Sequence, residues 1–375
     1  MSIVHTDCRF FSGYKPCRFG RPCEGCPEHT PASPDILLIN LDALGDVLRT
    51  TALLPAIRRD HPHARITWLT RPRAAALLEE NPLIDHVLTL GYEADVILRT
   101  RRFDLLLCVD KSQVAGALAV QVQASERRGF GLDPQGGIVP LNPEAQHLYA
   151  LGLDDDLKFR RNQRTEQDLL AEAMGFVHQG DAYTLVLRPD EQAVGPSRLV
   201  GFNTGCSAAY PHKKLPLSVQ ADAIRQVVAH TDEPVLLLGG PEDTERNAAL
   251  VSELGDMVEN SPSEAGIRAG AAQVGRCDVV VTGDSLGMHM AIAQDKHVVA
   301  WFGPTCPQEI DVYGRGVKLL ADVDCAPCWK PQCDRPTMCW DTVAPEWISQ
   351  AVEDCLSARA AGRPINEVRG GAWPA

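Results

Sequence analysis

Apolar residues along the chain fall into short solid runs separated by amphipathic stretches. The first run, 35–41 (DILLINL), shows almost no alternation of polar and apolar positions, which predicts a parallel strand buried on both faces. After Gly45, residues 47–60 place Leu53, Leu54 and Ile57 on one side at helical spacing, and Pro62 closes that helix. The same alternation predicts strands at 64–69, 86–90 and 103–109, with helices near 74–80 and 114–124. Residues 135–165 are polar and irregular, and 165–174 reads as a helix. Around 187–196 (LRPDEQAVGP), two prolines and a glycine predict a linker. The pattern then restarts, with strands at 199–202, 234–238, 278–282 and 297–302. Helices are expected at 217–230, 242–254, 264–274 and 285–294, and a closing one at 343–356.

This alternation on both sides of a linker predicts an α/β fold of two doubly wound, Rossmann-like domains, 35–192 and 193–375, after a cysteine-rich extension, 1–34. Ligands of open α/β sheets bind beyond the carboxyl ends of the strands, so the site is expected in a cleft between the lobes. The composition supports two cores: 375 residues, 45% hydrophobic and 23% charged. A net charge of −13 argues against nucleic acid as a partner and against wholesale adhesion to an anionic membrane. Arg58, Arg59, Arg71 and Arg73, and Arg99, Arg101 and Arg102, read either as solvated charges at helix ends or as local basic patches. No run approaches the roughly 18 apolar residues of a spanning helix, and residues 1–21 lack the apolar centre of a signal peptide. A cytoplasmic protein is expected, with any membrane contact peripheral.

Four stretches carry residues suited to chemistry. In Asn40–Arg49 (NLDALGDVLR) a strand gives way to a helix, and Asp46 is placed to take a proton from a hydroxyl; as local structure, Asp42 or Asp46 would cap the helix. In NTGCS, followed by Lys213-Lys214-Leu215-Pro216, the turn with Thr204, Gly205 and Ser207 plus Lys213 suits phosphate oxygens, although a solvated loop has the same composition. It lacks the Gly-Lys-Ser/Thr ending of a P-loop. In LGGPEDTE, Glu242, Asp243 or Glu245 can take ribose hydroxyls or simply favour a helix start. In TGDSLGMH, Asp284 ends an apolar strand and Ser285 opens a helix whose free N–H groups suit a diphosphate, with His289 one turn on; the bland alternative is a helix cap and a helix-face histidine.

The order and spacing of these stretches resemble glycosyltransferase family 9, the heptosyltransferase family, over roughly 35–355. The resemblance lies in ILLINLDALGDVLRTTALLPAIRR, NTGCSAAYPHKKLP, VLLLGGPEDTE, VVVTGDSLGMHMAIAQ and VVAWFGPT followed by CAPC. It implies the GT-B architecture, two Rossmann-like lobes facing a cleft, and a metal-independent inverting transfer. The donor it implies is a nucleotide sugar, ADP-heptose in characterised members. The implied acceptor is a glycolipid or oligosaccharide of the lipopolysaccharide core type. By the same resemblance Asp46 is the catalytic aspartate and Lys213 the phosphate-binding lysine, and Asp284, Ser285, Leu286, Gly287 and His289 form the donor motif. Thr204, Gly205, Ser207, Glu242 and Asp243 complete the expected donor set, and Arg49, Arg71 and Arg73 the acceptor set. The chain departs from the family pattern at Asn40, Asp42 and Ala43, at Arg49 where histidine is frequent, and at Leu286 where glycine is usual. These changes bear on donor and acceptor more than on the reaction.

Thirteen cysteines complete the picture. Cys8, Cys17, Cys23 and Cys26 crowd the N-terminus, and Cys325, Cys328, Cys333 and Cys339 crowd the C-terminal part. Two sets of four suit structural zinc or an iron–sulfur cluster, against free thiols or a labile disulfide. Transfer itself needs no cofactor on this reading. The rival class is a metal–sulfur redox protein on a Rossmann-like scaffold, which the missing G-x-G-x-x-G disfavours. A third is a binding module of the same shape without activity.

Overall fold

The computed structural model describes residues 4–14, 17–192 and 195–371. The chain divides into two compact units. The first runs to Asp154 and adds Glu166–Asp181; the second takes Asp155–Thr165 and everything from Ala182 onward.

The first unit contains β1 (Asp35–Ile39), α1 (Leu44–Thr50), α2 (Leu53–Asp60), β2 (Arg65–Thr70), α3 (Pro72–Ala75), β3 (His86–Thr89), α4 (Tyr92–Thr100), β4 (Arg102–Cys108), α5 (Gln113–Gln121), β5 (Gln123–Leu132), β6 (Ile138–Pro140), α6 (Gln146–Ala150) and α7 (Glu166–Ala173). Its six-stranded sheet has the order β3-β2-β1-β4-β5-β6, parallel except for β6. The central strand is the most apolar: Ile36, Leu37, Leu38 and Ile39 are fully buried, each stabilising by about 1.5–3 kcal/mol. Ile39 lies level with Leu69 on one side and Cys108 on the other. Strand order reverses between β1 and β4, so the loops after these two strands flank the crevice typical of such sheets.

The second unit contains β7 (Arg198–Asn203), α8 (Leu217–Thr231), β8 (Val235–Leu238), α9 (Thr244–Leu254), β9 (Val258–Asn260), α10 (Ile267–Gly275), β10 (Cys277–Gly283), α11 (Leu286–Ala293), β11 (His297–Phe302), β12 (Arg315–Leu320), α12 (Pro345–Ala360) and β13 (Ile365–Gly370). All seven strands are parallel, in the order β13-β12-β11-β10-β7-β8-β9. Here the order reverses between β7 and β10. Val281 sits level with Val299 and Phe202, and one apolar cluster runs from this sheet to α8 and α12.

Three expectations change. The single helix at 47–60 is two helices, because Pro55 cannot donate back to Thr51 and its ring crowds that carbonyl. The boundary expected after residue 192 lies earlier: 182–192 packs on the second unit, where Arg268 reaches Glu191 at 2.6 Å and the Val186 carbonyl at 2.8 Å. The irregular stretch 135–165 contains β6, α6 and a short helical turn at Leu157–Arg161. Among its described residues the extension holds no helix or full strand, only a bridge between Cys8 and Pro31. It is tied to the sheet by Arg9, whose guanidinium meets Asp85 at 2.7 Å.

Two glycine substitutions separate packing from propensity. Gly129 has φ +91°, and a Cβ there would overlap the Cys108 carbonyl oxygen on β4, so Gly129→Ala is expected to cost about 3 kcal/mol in urea unfolding. Gly270 lies inside α10 with open space around it, and Gly270→Ala is expected to stabilise by about 0.5–1 kcal/mol.

Candidate functional site

At the switch point of the second unit one side chain joins two loops. Asn203 ends β7, and its amide nitrogen lies 3.0 Å from the Gly205 carbonyl, 3.1 Å from Thr282 Oγ1 and 3.0 Å from Ser285 Oγ. The first turn of α11 packs against it: a Cβ on Gly287 would come within 2.6 Å of Asn203 Cγ. Ser285 is the N-cap residue of α11, yet its hydroxyl is engaged with Asn203 and Thr282 and makes no cap bond. The first-turn N–H groups of α11 are therefore not capped by that side chain, and with the positive helix end they favour an anion.

Beside this turn Lys213 Nζ lies 2.8 Å from Asp284 Oδ2, and both side chains are largely buried. Burial by itself would raise the Asp284 carboxyl, but the Lys213 ammonium and then His289 outweigh it and hold it below the usual carboxylate range. His289 Nε2 is 3.9 Å from Asp284 Oδ1, and its ring is 5.7 Å from that of Tyr183. The Lys213 ammonium also lies 5.4 Å from the Tyr210 ring and 5.5 Å from the Trp329 ring. A second ammonium, Lys158, sits 4.5 Å from Trp329. The segment carrying it is held by Arg160, which donates to the Asp324 and Ala326 carbonyls at 3.1 and 3.2 Å, and by Gln308, which donates to the Lys158 carbonyl at 3.0 Å. Sequence reasoning missed Lys158, Tyr210 and Trp329, which come from irregular segments without periodicity and meet only through the fold.

Other expected donor residues hold the fold. Thr204 is buried, its hydroxyl 2.5 Å from Asn247 Oδ1. Asp243 is buried too: it accepts from Lys214 at 3.2 Å and from the Gly240 N–H at 3.0 Å. A Cβ on Gly205 would overlap the Asp243 carboxylate, so the two glycine turns are stacked through that side chain. Asp243 is thus turned inward, whereas Glu242, Glu245 and Ser207 are exposed. Gly205, Lys213, Asp284, Ser285, Leu286, Gly287 and His289 lie around the β7 and β10 ends.

In the first unit Asp46 lies in the first turn of α1, just beyond β1, with its side chain 48% exposed. It accepts from Arg49 at 2.7 Å and from the Ala43 N–H at 3.3 Å, so part of the capping role read from sequence is real. Asn40 bonds Thr50 Oγ1 at 2.8 Å, and Asp110, following β4, accepts the Leu41 and Ser112 N–H groups at 2.9 and 2.7 Å. Arg49 also approaches Glu166, at 3.8 Å. Arg71 pairs with Asp42, and Arg73 is exposed on α3.

All thirteen cysteines are free thiols. Among the described residues, the only group of three or more His, Cys, Asp or Glu donors whose ligand atoms lie within 4.8 Å of one another is His5, Asp7 and His29. Neither cysteine quartet is drawn into the tetrahedral packing expected for zinc, where 2.3 Å bonds put sulfurs about 3.8 Å apart. Burial, with Cys328 and Cys333 close by, pushes the Cys339 thiol up to about 12.

Residues 160–338 match the sequence profile of glycosyltransferase family 9 (heptosyltransferase). The chain is similar to lipopolysaccharide heptosyltransferase 2 of Salmonella typhimurium, 24% identical over 296 residues, which cover 72% of this chain and 83% of that relative. In structure it is similar to a family 9 glycosyl transferase from Veillonella parvula, with TM-score 0.67, 19% identity, and 87% and 98% of the two chains covered. It is also similar to the E. coli ADP-heptose lps heptosyltransferase II, with TM-score 0.63, 16% identity, and 87% and 99% covered.

The Asp284 carboxyl is held low in the folded state, so its contribution to stability is present above the ordinary carboxylate range and is lost as pH falls through the native value. Asp284→Asn is expected to cost about 3 kcal/mol at neutral pH and to flatten the acid side of the Tm–pH curve. Parallel curves for the two proteins would show that the pair does not stabilise the fold.

Proposed function

We propose that this chain is a member of glycosyltransferase family 9, whose profile residues 160–338 match, and that it moves heptose from ADP-heptose onto the inner core of a lipopolysaccharide-type glycolipid, with inversion at the anomeric carbon. The observation that carries the donor assignment is the Lys213–Asp284 pair set beside the uncapped start of α11 at the β7/β10 switch point. Lys213 and the N–H groups of Leu286 and Gly287 take the diphosphate, and Lys158, paired with Glu309 at 3.5 Å, adds a second cation beside Trp329. Asp284 fixes the lysine and, with His289, orients the sugar-phosphate end. Glu242 and Glu245, both exposed after the β8 turn, are the acids left for the ribose.

Asp46 is the base. The acceptor oxygen attacks the anomeric carbon as its proton passes to the Asp46 carboxylate, and the bond to the ADP oxygen breaks with its electron pair leaving on ADP. Lys213 and the α11 start stabilise that growing negative charge. Arg49 holds Asp46 in one rotamer, while Arg73 and, once released from Asp42, Arg71 receive anionic groups of the acceptor. A cytoplasmic enzyme touching the inner membrane at its surface fits this chemistry; no described helix is long and apolar enough to cross a membrane.

Two measurements test the reading. In a thermal-shift panel of ADP-, GDP- and UDP-sugars, ADP-heptose should raise the Tm most, since a ligand at a hundredfold excess over Kd stabilises by about 2.7 kcal/mol; a preference for a uridine or guanosine donor would refute the donor assignment. Asp46→Asn should lower kcat by about 10²–10⁴ with donor Kd unchanged, whereas Lys213→Ala should weaken the donor. Normal turnover in Asp46→Asn would remove Asp46 from the mechanism.

A further inference from the structure

Outside both switch points, the N-terminal extension forms a half-open cavity of about 290 Å³ lined by all four of its thiols: Cys8, Cys17, Cys23 and Cys26. These residues are spread over 19 positions of sequence, with 8, 5 and 2 residues between successive cysteines, yet the chain brings every one to the same wall. Two tight turns place them. The Cys26 N–H bonds the Cys23 carbonyl at 3.0 Å, and the Gly20 N–H bonds the Cys17 carbonyl at 2.8 Å.

We propose that this cavity is the seat of an iron–sulfur cluster ligated by Cys8, Cys17, Cys23 and Cys26. The sulfurs stand too far apart for a single tetrahedral ion. Four thiolates on one zinc ion touch one another at about 3.8 Å and leave no cavity between them. Thiolates that each take a different iron of a cubane stand roughly 6 Å apart around a cluster-sized space. No three of these sulfurs lie within 4.8 Å of one another, wider than the packing on a single zinc ion, and the cavity that all four line measures about 290 Å³.

The surroundings fit the same group. Phe10, Phe11 and Phe19 form much of the remaining wall, which keeps water from the cluster sulfides. Four thiolates on a doubly positive core carry a net charge of about −2. Guanidinium groups stand behind the aromatic wall to offset it: Arg18 lies 4.4 Å from the Phe10 ring and 5.2 Å from Phe19, and Arg9 lies 5.6 Å from Phe10. The extension also needs such a staple. Its described residues form no helix or full strand and no disulfide, and a segment this short cannot stabilise itself by burying a core. The cluster holds it as one piece, docked on the first unit through Arg9 and Asp85 and through Arg65, which donates to the Thr6 and Cys8 carbonyls at 3.3 and 3.4 Å.

The test uses the full chain purified without oxygen. Iron and acid-labile sulfide are measured per chain, together with the visible charge-transfer band and X-ray absorption at the iron edge. The expected result is about four iron and four sulfide, with both iron–sulfur and iron–iron shells. Cys23→Ser/Cys26→Ser should lose this iron and sulfide and become sensitive to protease within 4–31, while keeping donor affinity. Cys325→Ser/Cys328→Ser and His5→Ala/His29→Ala should keep the N-terminal iron. Because the first variant can misfold locally, the wild-type absorption spectrum decides independently. Zinc without sulfide, a metal-free chain, iron that survives the N-terminal variant, or iron lost on removing the two histidines would each overturn the proposal.

Discussion

The switch point of the second unit depends on an ammonium and a carboxylate held together away from water. Lys213 arrives from the loop after β7 and Asp284 from the end of β10, so their pairing fixes one loop against the other across the switch point. Asn203 does the same through neutral hydrogen bonds, and Gly205, Gly283 and Gly287 let the backbones approach closely enough for both. Removing the carboxylate would leave a buried ammonium facing an aromatic wall. The cation beside the α11 start is therefore held in place by a second, opposite charge.

The two units solve a similar problem with different chemistry. At its switch point the first unit uses Asp110 to collect backbone N–H groups of the Leu41 loop and presents Asp46, half exposed, with Arg49 alongside. The second unit presents positive charge and helix N–H groups. One crevice thus offers a carboxylate and the other a cation and free helix N–H groups, the two kinds of charge on which the proposed transfer rests.

Much of this was legible in the chain. β1, β7, β10 and β11 are solid apolar runs because they are buried on both faces, and their ends locate Asp46, Asn203 and Asp284 without any coordinates. β5 and β13 escaped notice since QASERRGFGL and INEVRG keep one or both faces wet and carry no apolar run. Asp243 misled for a physical reason: an acid after a glycine pair suits a ribose, but here it is buried under Gly205 and neutralised by Lys214. Lys158 was invisible because its neighbours in space, Glu309 and Trp329, lie far along the chain. The cysteine quartets were plain to see; what composition alone does not reveal is how far apart their sulfurs stand.

The path of the backbone through residues 154–182 has a practical meaning for anyone dividing this protein. The chain passes from the first unit to the second after Asp154, returns after Thr165, and leaves again after Asp181. The second unit is consequently not a cassette: a fragment cut at the proline-rich stretch near 190 would omit Lys158 and Arg160 and strip cover from Trp329 and the Asp324–Ala326 carbonyls. Swapping donor specificity between relatives by exchanging C-terminal halves would need to carry an eleven-residue insert, Asp155–Thr165, from the middle of the other half.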